Sequence, residues 1–199
     1  MTSTERRIQT LLRRAGTARS RELVAAGVPR SQLSRMVAAG QMIRVGRGLY
    51  AMPGYQSGEH GALVTVAKRA PGMLFCLLTA LRIHELTTQA PFEVWIAIGN
   101  KDHPPRLDYP PLRTVRFSDA ALTAGVEIHR VDGAPVRVTS VAKTVADCFK
   151  FRNKIGLDVA LEALREARRA KKASAEELWR YAKINRVANV MRPYLEAVA

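Results

Sequence analysis

The hydrophobic positions near the N-terminus recur at helical spacing in three short segments. Apolar residues fall on one face of a helix predicted over residues 4–14, and a second short helix is predicted over residues 20–26. A third helix has Pro29 in its first turn, where a missing N–H is tolerated, and ends at Gly40. Two helices joined by a short turn with glycine form a helix-turn-helix pattern.

After Gly40 the spacing of apolar residues changes from helical to extended. The segments MIRV and LYA flank the turn Gly46-Arg47-Gly48, and this arrangement predicts a β-hairpin. A hairpin that directly follows a helix-turn-helix is the wing of a winged helix. Residues 1–54 are therefore predicted to form a winged helix-turn-helix domain.

The rest of the chain, residues 55–199, has the mixed pattern of an α+β domain. Strands are predicted over residues 92–98 and 112–117, and a hairpin through Asp132-Gly133 is predicted over residues 126–131 and 135–138. Helices are predicted over residues 62–69, 75–86 and 141–151, around Leu157, Leu161 and Leu164, and in a last section that opens with the capping box Ser174-x-x-Glu177 and is interrupted by Pro193. The fold class expected for the whole chain is α+β.

The charged residues form two basic zones on either side of a neutral centre. The chain of 199 residues has 32 Lys and Arg against 17 Asp and Glu, a formal net charge of +15. Residues 1–54 hold ten arginines and two acidic residues, and residues 137–172 hold ten basic and four acidic residues. Such surfaces attract polyanions, either nucleic acid or acidic lipid. A charge that served only solubility would be more even, so two separate electrostatic roles are favoured.

Composition also indicates the cellular compartment. Cys76 and Cys148 lie in apolar runs and are too few for a disulfide framework, which predicts buried free thiols in a reducing cytoplasm. The N-terminus is polar and rich in arginine, unlike a signal peptide. The longest apolar run is far shorter than the roughly 20 residues that span a bilayer. We therefore expect a cytoplasmic protein with no membrane partner.

A helical wheel of the third helix separates a core face from an outward face. Leu33, Met36 and Val37 share the core face. The outward face is small, polar and cationic, and it consists of Ser31, Arg35 and Ala38 with Gln32 and Ser34 on its flanks. Short side chains permit close approach to the major groove, where Arg and Gln can make bidentate hydrogen bonds to base edges.

The wing completes the predicted DNA surface, because Arg44 and Arg47 lie where phosphate or minor-groove contacts are expected. The alternative is a solvated amphipathic helix beside an arginine-rich loop. A solvated face usually mixes charges of both signs, whereas residues 28–52 contain no acidic residue. The pattern therefore favours double-stranded DNA as a partner.

The chain has no recognisable catalytic motif. The four histidines lack metal-ligand spacing, and there is no GxSxG, P-loop or kinase signature. We therefore expect no enzymatic activity, no metal and no cofactor. Lys143, Thr144 and Asp147 fall at helical spacing after a Thr-Ser cap, and they either form a functional polar cluster or satisfy a helix N-terminus and a nearby strand end.

Several sequence segments resemble those of one protein family. AAGVPRSQLSRMVAAGQMIRVGRGLYAM is similar to the winged helix of AbiEi-type antitoxins from type IV toxin–antitoxin and abortive-infection systems, and CLLTALRIHEL, EVWIAI and GVEIHRVDGAPVRVTSVAKTVADCFKF follow in the same order. The resemblance implies an antitoxin that represses its own operon by binding inverted repeats in the promoter and counteracts a nucleotidyltransferase toxin of the AbiEii type. It places the DNA-binding residues at Arg30 to Arg35 and at Arg44 to Arg47.

Two other functional classes stay open: a stand-alone regulator whose C-terminal domain senses a ligand, and an enzyme with a DNA-targeting head.

A second basic group, here named the C-terminal basic cluster, comprises Arg165, Arg168, Arg169, Lys171 and Lys172. This cluster has three possible roles. It stabilises the C-terminus of a helix through the macrodipole, or it makes a second contact with DNA, or it forms the antitoxin surface, which faces the toxin or the nucleic acid on which the toxin acts. The resemblance favours the antitoxin surface. A single winged helix gives a modest interface, so two copies are expected on an inverted repeat.

Overall fold

The computed structural model describes residues 6–8, 10–12, 17–46, 48–54, 61–89, 93–107 and 110–198. The chain divides into two compact units, the first formed by Met1–Pro71 with Arg130–Pro135 and the second by Gly72–His129 with Val136–Ala199. The first unit therefore extends past the predicted winged helix. The predicted division of roles between residues 1–54 and 55–199 stays a prediction.

The first unit contains the predicted helix-turn-helix and wing. Its elements are α1 (helical at 6–8 and 10–12), β1 (Thr17–Arg19), α2 (Ser20–Ala25), α3 (Arg30–Ala38), β2 (Ile43–Gly46), β3 (Leu49–Ala51) and α4 (Gly61–Arg69). The strands pair antiparallel in the order β1-β3-β2. The sequence pattern did not predict β1, because three residues are too few to show alternation. The other residues of the helix predicted over 4–14 lie outside the described part of the chain.

Helix α4 is attached to the winged helix through β1. The ammonium of Lys68 donates to the carbonyl and to the hydroxyl of Thr17, the latter at 2.8 Å. The Arg19 guanidinium donates to the carbonyl of Arg69 at 3.3 Å. Partial burial lowers the pKa of Lys68. The C-terminal end of α4 is thus held against β1.

The second unit packs helices around a five-stranded sheet. Its elements are β4 (Leu74–Phe75), α5 (Leu77–Ile83), β5 (Val94–Gly99), β6 (Leu112–Phe117), α6 (Asp119–Thr123), β7 (Val126–Val131), β8 (Ala134–Thr139), α7 (Val141–Lys150), α8 (Arg152–Ile155), α9 (Leu157–Arg169), α10 (Ala175–Ile184) and α11 (Ala188–Ala197). The end of β7 and the start of β8, within Arg130–Pro135, are counted with the first unit. The sheet order is β6-β5-β4-β8-β7, with β5 parallel to β6, β4 parallel to β8 and β4 antiparallel to β5. Within the described residues no helix has the length and apolar character to cross a membrane. The predicted α+β class is confirmed.

Helix α7 is the centre of this unit. Every residue from 142 to 149 is buried, and α7 packs against α5, α9 and α10. Ser140 is its N-cap, as predicted, and the Ser140 hydroxyl accepts from the backbone N–H of Lys143 at 3.4 Å. Cys76 and Cys148 are both buried free thiols, as predicted, and burial raises the pKa of each well above its usual value.

Two predictions for this unit were wrong in detail. The helix predicted over residues 75–86 begins only at Leu77, because Leu74–Phe75 form the central strand β4. A short apolar run does not distinguish a buried strand from a buried helix. Pro193 does not interrupt the last section: it lies inside α11, and the break occurs earlier, where Arg186 has a φ of +58°. The short helices α6 and α8 were not predicted.

Gly125, in the turn before β7, is expected to be intolerant of a side chain. Its φ is +60°, and an added Cβ would lie 2.8 Å from the ring of Tyr181, which is 8% exposed. Gly125→Ala should lower the free energy of unfolding by about 1–2 kcal/mol for left-handed backbone and by about 1–3 kcal/mol more for overpacking. Gly72→Ala is the matched control, because Gly72 has a φ of +90° but no atom within 4 Å of its Cβ position. Urea denaturation should give a lower free energy of unfolding for Gly125→Ala than for Gly72→Ala. The opposite order would contradict the packing argument.

Candidate nucleic-acid interface

The outward face of α3 carries most of the predicted DNA-binding residues. Leu33 and Met36 are only 2% and 6% exposed and pack in the core of the first unit, while Val37 is half-buried. The predicted contact residues point away from this core: Arg30, Ser31, Ser34 and Arg35 are exposed and Gln32 is partly exposed. The helical wheel thus assigned the two faces of α3 correctly.

Local hydrogen bonds determine where α3 begins and ends. The turn after α2 has Gly27 at a φ of +93°, and the N–H of Val28 donates to the carbonyl of Leu23 at 3.1 Å. Pro29 is the N-cap of α3 and not a residue of its first turn, so the helix begins at Arg30, one residue later than predicted. At the other end, the N–H of Gly40 donates to the carbonyl of Val37 at 3.0 Å, and Gln41 donates to Met36 at 2.9 Å. This is a Schellman motif, with Gly40 at C′ as predicted.

The wing is attached to the start of α2. Strands β2 and β3 pair with Ile43 opposite Ala51 and Arg44 opposite Tyr50, and the register shifts between Arg44 and Gly46. The backbone N–H of Ser20 donates to the carbonyl of Gly48 at 2.9 Å, and its hydroxyl donates to the same oxygen at 3.3 Å. Arg44 is exposed on β2. Arg47 lies outside the described residues.

Electrostatically, α3 and the two strands of the wing carry charges of a single sign. Neither α3 nor β2 nor β3 contains an acidic residue, and Arg30, Arg35 and Arg44 are all exposed. An exposed helix with short polar and cationic side chains fits the major groove, and an adjacent cationic hairpin suits the phosphate backbone. Fold and surface together define a winged helix-turn-helix of the DNA-binding class.

The C-terminal basic cluster lies at the end of α9. Arg165, Arg169 and Lys171 are exposed, and Lys171 has a φ of +54° directly after the helix. Arg169 makes an ion pair with Glu166 at 2.5 Å. The other two cations bind backbone carbonyls: Arg168 donates to that of Ala173 at 3.4 Å and Lys172 to that of His84 at 2.6 Å. The sequence did not indicate that cluster members would have such structural partners.

Lys143, Thr144 and Asp147 are buried in the second unit. Lys143 and Asp147 are 0% and 1% exposed and form an ion pair, and the side-chain amide of Asn185 donates to Asp147 Oδ1 at 2.7 Å. Thr144 donates to the carbonyl of Thr139 at the end of β8 at 2.9 Å. Burial raises the pKa of Asp147, although Lys143 and Asn185 act in the opposite direction. Thr144 therefore satisfies a strand end, one of the two predicted alternatives.

Comparison with known families agrees with the class defined by the surface. Residues 6–53 match a family model described as "Transcriptional regulator, AbiEi antitoxin". The predicted resemblance to AbiEi-type antitoxins is thereby confirmed for the winged-helix segment. The match supports a transcriptional-regulator and antitoxin role, and DNA binding with it.

Structural comparison extends over both units. The crystal structure of the RV2827C protein from Mycobacterium tuberculosis is similar over 98% of this chain and 82% of that chain, with a TM-score of 0.62 and 13% sequence identity. At this identity the similarity shows a shared fold. No curated protein sequence matches the chain.

Proposed function

We propose that the protein is the antitoxin of a bacterial type IV toxin–antitoxin system. In this role it binds promoter DNA in the cytoplasm, represses its own operon and counteracts a nucleotidyltransferase toxin. The observation that carries the proposal is the exposed, acid-free face of α3 beside a cationic wing, in a segment that matches an antitoxin regulator family. The second unit supplies the toxin-directed function, with the C-terminal basic cluster as a surface for the toxin or for the nucleic acid on which the toxin acts.

Two copies of the protein bind an inverted repeat in this proposal. A single winged helix buries about 600–1,000 Å² on DNA, which is modest for discriminating one promoter. Two half-sites about one helical turn apart, or a multiple of it, double the contacts and match a two-fold arrangement of copies. Gel-shift titration on one and on two half-sites measures this stoichiometry.

Arg35→Ala and Arg44→Ala should weaken DNA binding in different ways. Arg35 is assigned to base edges together with Gln32, so Arg35→Ala should cost about 1–3 kcal/mol on the operator and relax the preference at one position. Arg44 is assigned to phosphate together with Arg47, so Arg44→Ala should weaken binding to all sequences alike and reduce the salt slope by about one unit. Fluorescence anisotropy on operator and scrambled duplexes at several salt concentrations separates the two effects.

Arg106→Ala is the matched control, because Arg106 is exposed in the second unit and should leave operator affinity unchanged. The assignment of α3 would be wrong if Arg35→Ala lost affinity equally on operator and scrambled DNA. The toxin-directed part is tested separately by co-expression with a candidate nucleotidyltransferase toxin. Growth rescue by the wild type supports it, and failure of rescue with normal operator binding favours a regulator alone.

A regulator with a ligand-sensing C-terminal domain is the second candidate, and one cavity favours it. The cavity has a volume of about 200 Å³ and is lined by Arg116, Asp147, Lys150, Asn185 and Arg186, among others. One carboxylate oxygen of Asp147, Oδ2, is buried and lacks a hydrogen-bond partner among the described residues. A small molecule with an N–H or O–H donor would satisfy that oxygen. Thermal-shift screening of amino acids and nucleotides, read against Asp147→Asn, tests this candidate.

A further inference from the structure

The second unit brings together two histidines and a carboxylate that are far apart in the sequence. His84, at the C-cap of α5, lies beside Glu127 and His129, which occupy alternate positions on β7. Each side chain offers one ligand atom, and these atoms lie within 4.8 Å of one another. We name this group the His84–Glu127–His129 cluster. More than 40 residues of sequence separate His84 from the other two members, so the cluster has no recognisable sequence motif.

The hydrogen bond of His84 leaves one ring nitrogen available to bind a metal ion. Its Nε2 lies 2.6 Å from the carbonyl oxygen of Thr139. A carbonyl oxygen only accepts, so Nε2 carries the proton and the lone pair is on Nδ1. Metal-binding histidines commonly donate their second ring N–H to a backbone carbonyl in this way, since the bond orients the ring and raises its basicity.

The other two members of the cluster face solvent. His129 Nε2 lies 2.9 Å from Glu127 Oε2, and the two side chains are 36% and 48% exposed. The rings of His84 and His129 meet edge to face, with centroids 5.4 Å apart. Two imidazoles and one carboxylate provide three protein ligands, and solvent exposure leaves a fourth position for water. That is the ligand set and coordination of many zinc sites with an open position.

We propose that the His84–Glu127–His129 cluster binds one divalent transition-metal ion, with Zn²⁺ as the best fit. Two nitrogen ligands favour Zn²⁺ over Mg²⁺ or Ca²⁺, which prefer oxygen. Glu127 neutralises only one of the two metal charges. The Lys172 ammonium donates to the His84 carbonyl, so a positive charge lies near the cluster and repels a metal ion. Glu85, 3.6 Å from this ammonium, neutralises only part of that charge. Binding is therefore weaker than at a four-ligand structural zinc site.

The experiment uses the full chain, purified without a histidine tag and treated with a chelator. Calorimetric titration with ZnCl₂ should give one equivalent bound, and CoCl₂ should give visible absorption of a nitrogen- and oxygen-ligated ion. Glu127→Gln alters an exposed side chain on β7 and His129→Gln a partly exposed one, so both variants should fold normally and bind Zn²⁺ at least tenfold more weakly. Zn²⁺ should raise the Tm of the wild type more than that of either variant.

The matched controls are His103→Gln, which changes an exposed loop histidine, and His60→Gln. Both should titrate like the wild type. The proposal is overturned if the wild type binds much less than one equivalent. It is also overturned if His129→Gln and Glu127→Gln bind Zn²⁺ like the wild type, or if either control loses as much affinity as they do.

Discussion

Asp147→Ala is expected to lower the free energy of unfolding by about 3–5 kcal/mol, because it leaves a buried charge without its partner. The Lys143 ammonium is fully buried and lies 4.4 Å from the centroid of the Phe117 ring, which cannot replace a carboxylate. The substitution also removes the acceptor for the amide of Asn185. Guanidinium denaturation followed by circular dichroism measures the loss. Lys154→Ala, at an exposed cation of the same unit, is the control and should cost far less.

The converse variant, Lys143→Met, should show a characteristic pH dependence. Burial already raises the pKa of Asp147 in the folded protein, and removing the Lys143 ammonium raises it further. A group whose folded pKa lies above its unfolded value, about 3.9 for Asp, stabilises the fold below the unfolded pKa. That stability is lost as the pH rises through the folded pKa. Lys143→Met should therefore be closest to wild type in mild acid and fall furthest below it at neutral pH.

Replacing both partners distinguishes a structural pair from a functional one. Lys143→Met combined with Asp147→Leu removes both charges, so it should cost much less than the sum of the single substitutions. If Asp147→Ala costs under about 1 kcal/mol, the pair does not hold α7 as the structural argument requires. If instead the double variant is stable and binds operator normally but no longer counteracts the toxin, Lys143 and Asp147 are functional residues.

The winged helix could be predicted from the sequence because its signals are local. Pro29 and Gly40 limit α3 through backbone properties of single residues, and Gly46 and Gly48 flank the turn of the wing. Strands β1 and β4 could not be predicted in the same way. Their two or three residues are extended only because distant strands pair with them, with Thr17 opposite Ala51 and Leu74 opposite Arg137.

The candidate sites differ in the same respect: one depends on local sequence, and the others depend on contacts between distant residues. The outward face of α3 follows from helical periodicity, so the exposure of Ser31 and Arg35 is predictable without the tertiary structure. Partners that come from elsewhere in the chain leave no such trace. Lys172 is one of several similar cations in the sequence, yet it binds a carbonyl 88 residues away. The His84–Glu127–His129 cluster depends on α5 ending beside an edge strand, which no spacing rule encodes.

Reversing three cations at the end of α9 is expected to abolish protection from the toxin while leaving operator binding intact. The variant is Arg165→Glu, Arg169→Glu and Lys171→Glu, because these side chains are exposed. Arg168 and Lys172 are left unchanged, since each donates to a backbone carbonyl and its loss would disturb the fold. The reversal changes the local charge by six, which converts attraction for an acidic surface or nucleic acid into repulsion.

The readouts are growth rescue on toxin co-expression and operator affinity of the same purified protein. The matched control reverses Lys101, Arg106 and Lys154 to Glu, which gives the same net charge change at exposed positions outside the cluster. This control should protect cells as the wild type does, because the effect depends on where the charge lies. If the α9 variant protects normally but loses operator affinity, the cluster contacts DNA. If both variants lose protection equally, net charge alone explains the effect and the cluster is not the antitoxin surface.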